Sequence, residues 1–321
     1  MGEPAAALPE ISVVVPVYKC AACLPELRRR LAAALEPITT RYELVFVEDR
    51  GPDDSWDVLV ELARLHPAVR AVRLSRNFGQ HAAITAGLAE SRGRWVVVMD
   101  CDLQDPPEEI PRLWARAQEG FDIVLARRAR KQQAVHRRWA ARLYFRLLSL
   151  AAGRRFEGQY GAFSMLARKV VDGFLRFKDR DRHYLFILHW LGFRTGEIEY
   201  EHGQRLAGES SYTLRALVEH ALNGVFAQTT VFLRLIAYLG FAVCALGLGL
   251  AVFFLGAWLL YDTVPRGFTS VAVLILVMGG FSILTTGVSG LYVGKIFEEV
   301  KERPLFVVDQ RVEQGNLPTP R

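Results

Sequence analysis

The residues best equipped for chemistry lie between positions 95 and 111, in the run WVVVMDCDLQDPPEEIP. Asp100 and Asp102 stand one residue apart, with Gln104 and Asp105 close behind. The apolar run before them, residues 95–99, has the length and composition of a strand buried on both faces. Side chains alternate along a strand, so positions i and i+2 point the same way. Asp100 and Asp102 are therefore expected to converge at the carboxyl end of a central strand, the edge where open α/β sheets bind ligands. Paired carboxylates suit a hard divalent cation, Mg2+ or Mn2+, shared with a diphosphate. The competing reading is local: acidic residues also cap helices and start turns. Asp105 before Pro106-Pro107 has the form of such a cap.

The elements that would position these aspartates repeat along the first 130 residues. Strands are expected at 11–15, 42–47, 69–74, 95–99 and 121–126, and the first is expected to halt at Pro16. Helical spacing of apolar residues falls between them, as in Leu24, Leu27, Leu31 and Leu35. This alternation predicts a parallel, doubly wound sheet. Its interesting loops all leave carboxyl ends of strands, so polar side chains gather on one edge. The glycines form neither G-x-G-x-x-G nor a Walker loop. A nucleotide bound here needs another way to neutralise its phosphates, and a carboxylate-held metal supplies one.

Four cations within residues 127–131, Arg127, Arg128, Arg130 and Lys131, follow the fifth strand. They make either a solvated loop or a phosphate site, and their place on the ligand edge favours the phosphate site. Beyond them, Trp139, Leu143, Leu147 and Leu150 share one helical face rimmed by Arg138, Arg142 and Arg146. An apolar face edged with arginine fits a helix lying in a membrane interface, about residues 136–150. Residues 212–230 form a second such stretch. Residues 205–212, RLAGESSY, form a loop able to close over a substrate.

Residues 235–261 and 268–294 each run for 27 positions without a charge. At ~1.5 Å per residue either stretch exceeds the roughly 30 Å hydrocarbon thickness of a bilayer, which predicts a transmembrane hairpin. Arg215 and Arg234 precede it, Lys295, Lys301 and Arg303 follow it, and the connecting turn holds Arg266 alone. The positive-inside rule puts both chain ends and the front domain on the cytoplasmic side. The net charge of +6 suits a domain resting on an anionic leaflet, with no nucleic acid partner expected. The opening residues MGEPAAALPE have neither the basic flank nor the apolar core of a signal peptide. The domain plan is thus a cytoplasmic domain over 1–230, the hairpin over 231–296 and a cytoplasmic tail over 297–321. Gly279, Gly280, Gly287 and Gly290 suit close helix packing and hence a homo-oligomer. Cys20 and Cys23 have C-x-x-C spacing, but no second pair completes a zinc site, and no disulfide framework is expected.

With these residues in place, the chain from about Ile11 to Lys301 resembles the family 2 glycosyltransferases that load sugars onto polyprenyl phosphates. Dolichol-phosphate mannose synthases and bacterial undecaprenyl-phosphate glucosyltransferases are of this type. The motifs that carry the resemblance are VVVPVY, FVEDRGPDDSW, LSRNFGQHAAITAGL, VVVMDCDLQDPPEEIP, HYLFILHWLGF and RLAGESSY. The resemblance implies a GT-A fold and an inverting, metal-dependent transfer from a UDP- or GDP-linked sugar to a polyprenyl phosphate at a bacterial inner membrane. It implies that Pro16, Tyr18, Asp49 and Arg76 line the nucleotide pocket. Asp100, Asp102 and Gln104 would handle metal and diphosphate, with Asp100 also touching the donor. Arg127, Arg128 and Arg130 would hold the lipid phosphate, with Arg205 and Ser210 in the closing loop. Three departures stand out. Lys19-Cys20 replaces the usual Asn-Glu, residues 159–165 read QYGAFSM where many members have D-x-G-D-F-R-L, and Ser211 stands where Lys is common. A processive synthase is disfavoured, because Val135 occupies the Gln position of Q-x-x-R-W ahead of Arg138-Trp139. A non-catalytic nucleotide-binding scaffold, or transfer to another lipid-linked glycan, is the alternative.

Overall fold

The computed structural model describes residues 8–129, 160–179, 182–201, 203, scattered positions between 236 and 253, and 267–313. The expected interfacial helices and the 205–212 loop lie outside these residues. The described elements run, in chain order, β1 (Ile11–Val17), α1 (Leu24–Leu35), β2 (Tyr42–Glu48), α2 (Ser55–Leu65), β3 (Val69–Leu74), α3 (Gln80–Glu90), β4 (Trp95–Val98) and α4 (Ile110–Gln118). They continue with β5 (Ile123–Arg128), β6 (Tyr160–Ala167), α5 (Arg168–Leu175), α6 (Tyr184–Leu191), β7 (Thr195–Tyr200), α7 (Phe268–Val300) and β8 (Val308–Val312).

All eight strands join one sheet in the order β7-β5-β6-β4-β1-β2-β3-β8. The apolar strands are buried on both sides, which explains their unbroken valine runs. Val13, Val15, Leu44 and Phe46 face a core shared with Leu27 and Leu31 of α1, Leu59 of α2 and Leu113 of α4. Val14, Val45 and Val47 face the opposite core, with Ile84 and Leu88 of α3, Val170 of α5 and Ile187 of α6. Helices thus cover both faces, as doubly wound sheets require.

The sheet is mixed rather than parallel. β3, β2, β1 and β4 pair in parallel, but β6 enters antiparallel between β4 and β5, matching Trp95 with Ala167 and Ile123 with Leu166. The tail adds another antiparallel edge, with Val72 of β3 opposite Arg311 of β8. The first strand also outruns Pro16 and ends at Val17. The β1–β4 pairing stops at Val14 with Val98, while Val17 accepts from Asp49 N–H on the β2 side. Alternation then turns the Pro16 nitrogen toward the side β4 has already left, where a missing N–H costs no ladder bond.

The chain divides into two compact units, and the sheet lies wholly within the first. The second includes α7, a helix of 33 residues, or about 50 Å of axis. Among the described residues no helix is long and apolar enough to cross a membrane. Most of 235–261, the first arm of the expected hairpin, lies outside those residues. Ideal Cβ positions at Gly279, Gly280, Gly287 and Gly290 meet no atom within 4 Å.

Candidate active site

Four loops at the carboxyl edge of the parallel strands bring the sequence candidates together. Pro16 is buried near the end of β1, and Tyr18 just beyond it is exposed. Lys19 has φ 55°, a left-handed conformation that Asn tolerates better than Lys. Asp49 follows β2 and is buried; its Oδ1 accepts from Phe78 N–H at 2.7 Å and its Oδ2 from Gly79 N–H at 2.8 Å. Burial lifts its carboxyl above the ordinary carboxylate range, and the two amide donors only partly offset this. Asp49 therefore fastens the loop after β3, whose Arg76 is exposed and stacks 4.0 Å over the Phe78 ring. Gly79 in that loop has φ 92°, which a residue with a Cβ adopts only under strain.

Asp100 and Asp102 do approach each other, but a turn brings them there rather than strand alternation. β4 ends at Val98, and the chain turns through Leu103 at φ 61°. Asp102 Oδ1 accepts from the Gln104 N–H at 3.1 Å, closing an Asx turn. Asp100 Oδ1 accepts from Gln80 Nε2 at 2.6 Å. Burial, then the charges of Asp105 and Asp102, push the Asp100 carboxyl up to about 7, against the pull of Arg128 and Gln80. Asp105 caps no helix, since the 3-10 turn Pro107–Glu109 has no side-chain cap. It is fully buried and accepts from the Tyr200 hydroxyl.

Arg127 and Arg128 belong to β5, not to a free basic loop. Arg127 lies 3.7 Å from Glu199. Arg128 Nε donates to the Tyr200 hydroxyl at 3.3 Å, and Nη2 lies 3.7 Å from Asp105 Oδ1. Burial first, then Asp105, hold the Tyr200 phenol well above its usual range, so it remains a proton donor. Arg130, Arg205 and Ser210 lie outside the described residues. Gly203, just ahead of the expected closing loop, donates its N–H to the Gln104 carbonyl at 2.9 Å.

Cys20 Sγ donates to the Cys101 carbonyl at 3.1 Å, which ties the first loop to the acidic one. Contact with Cys101, then burial, raises the thiol far above its ordinary range, so it is a neutral donor. Cys20, Cys23 and Cys101 are all free. Among the described residues no group of three or more His, Cys, Asp or Glu side chains is arranged to hold a metal by itself. Two hard carboxylates remain a fitting donor set for a cation whose other ligands come from a diphosphate and water. Sequence reasoning missed Gln80 and Tyr200, and it read Asp105 as a helix cap. The alternation of TGEIEY before Glu201 was the available signal for Tyr200's strand.

The family model described as glycosyl transferase family 2 matches residues 12–175. A Bacillus subtilis protein named uncharacterized glycosyltransferase YkcC is 34% identical over 302 residues, covering 94% of each chain. An undecaprenyl-phosphate 4-deoxy-4-formamido-L-arabinose transferase of Pseudomonas aeruginosa is 36% identical over 306 residues, covering 94% of this chain and 90% of its own. Glucosyl-3-phosphoglycerate synthase from Mycobacterium tuberculosis, solved with Mn2+, uridine diphosphate and phosphoglyceric acid, superposes with a TM-score of 0.47 at 16% identity, covering 68% of this chain and 77% of its own. A family match over half the chain, with relatives above 30% identity along nearly all of it, makes this chain a glycosyltransferase that belongs to glycosyl transferase family 2.

Proposed function

We propose that the chain transfers a sugar, with inversion, from a nucleotide sugar to a polyprenyl phosphate such as undecaprenyl phosphate, giving a lipid-phosphate-sugar. The observation that carries this reading is the packing of Asp100, Asp102 and Asp105 beside Arg128, with Asp100 pushed to about 7 by burial and by its neighbours' charges. Carboxylates clustered at the end of the parallel strands suit a cation, and an arginine at their border suits a second anion. The named acceptor of the Pseudomonas relatives supports a polyprenyl phosphate in that place.

Asp100 and Asp102 would hold Mg2+ or Mn2+, with Gln104 beside the diphosphate. When bound, the ion supplies positive charge against the departing nucleoside diphosphate. Pro16, Tyr18, Asp49 and Arg76 border the nucleotide; the sugar and the base, uracil or guanine, are open in this reading. Arg127, Arg128, Arg130, Arg205 and Ser210 serve the acceptor phosphate. A phosphate monoester has a second pKa near ~6 and is largely dianionic at neutral pH. It needs no general base, so orientation and charge stabilisation carry the reaction. The acidic residue absent from 159–165 is therefore dispensable for deprotonation.

Residues 231–296 form a transmembrane hairpin in this reading, supported by two uncharged stretches of 27 residues. The front domain then faces the cytoplasm of a bacterial inner membrane. The return of β8 to the sheet agrees, since it keeps the chain after α7 with the front domain.

The test is to incubate membranes carrying the protein with undecaprenyl phosphate and a panel of labelled nucleotide sugars, and to identify the lipid product. One lipid-linked sugar is expected, lost in Asp100→Ala and Asp102→Ala and in excess chelator, and restored by Mn2+ or Mg2+. Full activity in excess chelator, or substantial activity in either purified variant, would sink the metal role. Binding of nucleotide without any lipid product would favour a scaffold instead.

A further inference from the structure

We propose that Tyr200 is a positioning residue that fastens Arg128 to the acidic loop through Asp105, so that an incoming acceptor phosphate meets a guanidinium already aimed. This rests on the acceptor reading above and adds to it the device that seats the arginine. Register starts the arrangement, because Arg128 of β5 lies directly opposite Tyr200 of β7. The phenol then works in both directions, accepting from Arg128 Nε at 3.3 Å and donating to Asp105 Oδ1. Arg128 Nη2 also lies 3.7 Å from the same carboxylate oxygen. Asp105 is 0% exposed and Tyr200 is 2% exposed, so water competes little for either bond. Phe163 of β6 packs edge-on against the Tyr200 ring, with centroids 5.5 Å apart, and fixes the direction of its hydroxyl.

Gly161 supplies the last wall. A Cβ there would come within 2.8 Å of Arg128 Nη2, so the guanidinium occupies space that only glycine leaves open. The Arg128 side chain keeps 37% exposure, enough to present a face to an anion while its other side is tethered. Holding an arginine in one rotamer costs entropy, and a tether of this kind removes part of that cost before the ligand arrives.

The experiment compares the purified full-length protein with Tyr200→Phe and Gly161→Ala, titrating undecaprenyl phosphate and nucleotide sugar separately. Tyr200→Phe keeps the ring packing and removes only the hydroxyl. Gly161→Ala leaves Tyr200 and Asp105 intact and pushes the flexible end of Arg128 aside, so it tests the tether even if loss of the hydroxyl disturbs folding. Both should raise the KM for undecaprenyl phosphate by about tenfold, the loss of roughly one hydrogen bond to a charged group. The donor KM should stay within about twofold. An unchanged acceptor KM in both variants, or a fall in kcat alone, overturns the tether. A wild-type protein that forms no lipid-linked sugar overturns the acceptor assignment itself, and the tether's role with it.

Discussion

Arg70 of β3 offers a quantitative test of how the sheet is locked at the edge opposite the active site. Its Nη1 donates to Glu43 Oε2 at 3.1 Å and to the Glu90 carbonyl at 2.6 Å, while Nε donates to Glu313 Oε2 at 3.0 Å. Glu43 Oε1 accepts from Ser12 Oγ and from Arg92 N–H, both at 2.6 Å. One guanidinium thus joins β3, β2, α3 and the residue after β8, and through Glu43 it reaches β1. The Arg70 and Glu43 side chains are only 11% and 7% exposed, so solvent does little to replace a lost partner. Arg70→Met leaves Glu43 as a buried, unbalanced carboxylate, a change that costs about 3–5 kcal/mol. For a folded unit of roughly 150–250 residues, that lowers Tm by about 6–20 °C. Glu43→Gln alone turns an amide N–H2 toward the guanidinium and is also destabilising. In the double variant the two neutral side chains no longer leave a charge stranded, so its loss should be well below the sum of the two singles. Thermal unfolding of the full chain, followed by tryptophan fluorescence, measures all four proteins. Initial rates well below Tm should stay near wild type, because the network lies away from the ligand edge. Strict additivity in the double variant, or a Tm drop under about 2 °C for Arg70→Met, would refute the pairing.

Asp49→Asn should weaken the loop that carries Arg76. An amide can accept only one of the two backbone N–H groups and meets the other with a donor, a loss of about 1–3 kcal/mol. Because burial raises the wild-type carboxyl, the folded chain binds a proton there before the unfolded chain does as pH falls. The wild-type contribution is therefore full below the unfolded value and is lost as pH rises through the folded one. The Tm gap between wild type and Asp49→Asn should then widen as pH falls toward the ordinary carboxylate range, about pH 4. Gly87→Ala should cost about 1–3 kcal/mol by overpacking, since its Cβ would lie 2.2 Å from Val14 Cγ1 and 3.2 Å from Val47 Cγ2. A melting curve matching wild type would show that α3 does not pack this closely on β1 and β2.

The parallel half of the sheet was legible because both of its faces are buried. Valine runs such as 13–15 and 96–98 leave no polar alternation to confuse the strand signal, and α1 and α2 between them are amphipathic. β6 was harder, since YGAFSMLA carries a buried serine, a glycine and two alanines among its larger apolar residues. Ser164 is tolerated there because its hydroxyl pairs with Tyr184 at 2.7 Å. β8 gave less still. VDQRV is an edge strand that pairs with β3 and ties its side chains by ions, Arg311 with Glu90 at 2.8 Å and Asp309 with Arg50 at 2.9 Å. Partners that lie 221 and 259 residues apart leave no local trace. The same limit applied to the site. Asp49, Arg76, Asp100 and Asp102 follow strand ends and could be collected by topology alone. The meeting of Arg128, Tyr200 and Asp105 depends on how β5, β6 and β7 align, over separations of 72 and 95 residues.

The departures from the D-x-G-D-F-R-L pattern make more sense beside that alignment. In QYGAFSM the charged positions are gone: Gln159, Ala162 and Ser164 stand in their places. Ser164 has turned inward to Tyr184, which a buried arginine at that position would not permit without a new counter-charge. Yet Gly161 and Phe163 are retained, and their geometry gives each a reason. Gly161 leaves the gap that Arg128 fills, and Phe163 braces the ring of Tyr200. A chain that gave up this run altogether would be free to lose those two residues as well. Both retained residues pack around Arg128 and Tyr200, whereas the pattern's charged positions, two acidic and one basic, are replaced by neutral side chains. Under the function proposed above, the turn from Asp100 to Asp105 then supplies the carboxylate, which suits an acceptor that arrives already ionised.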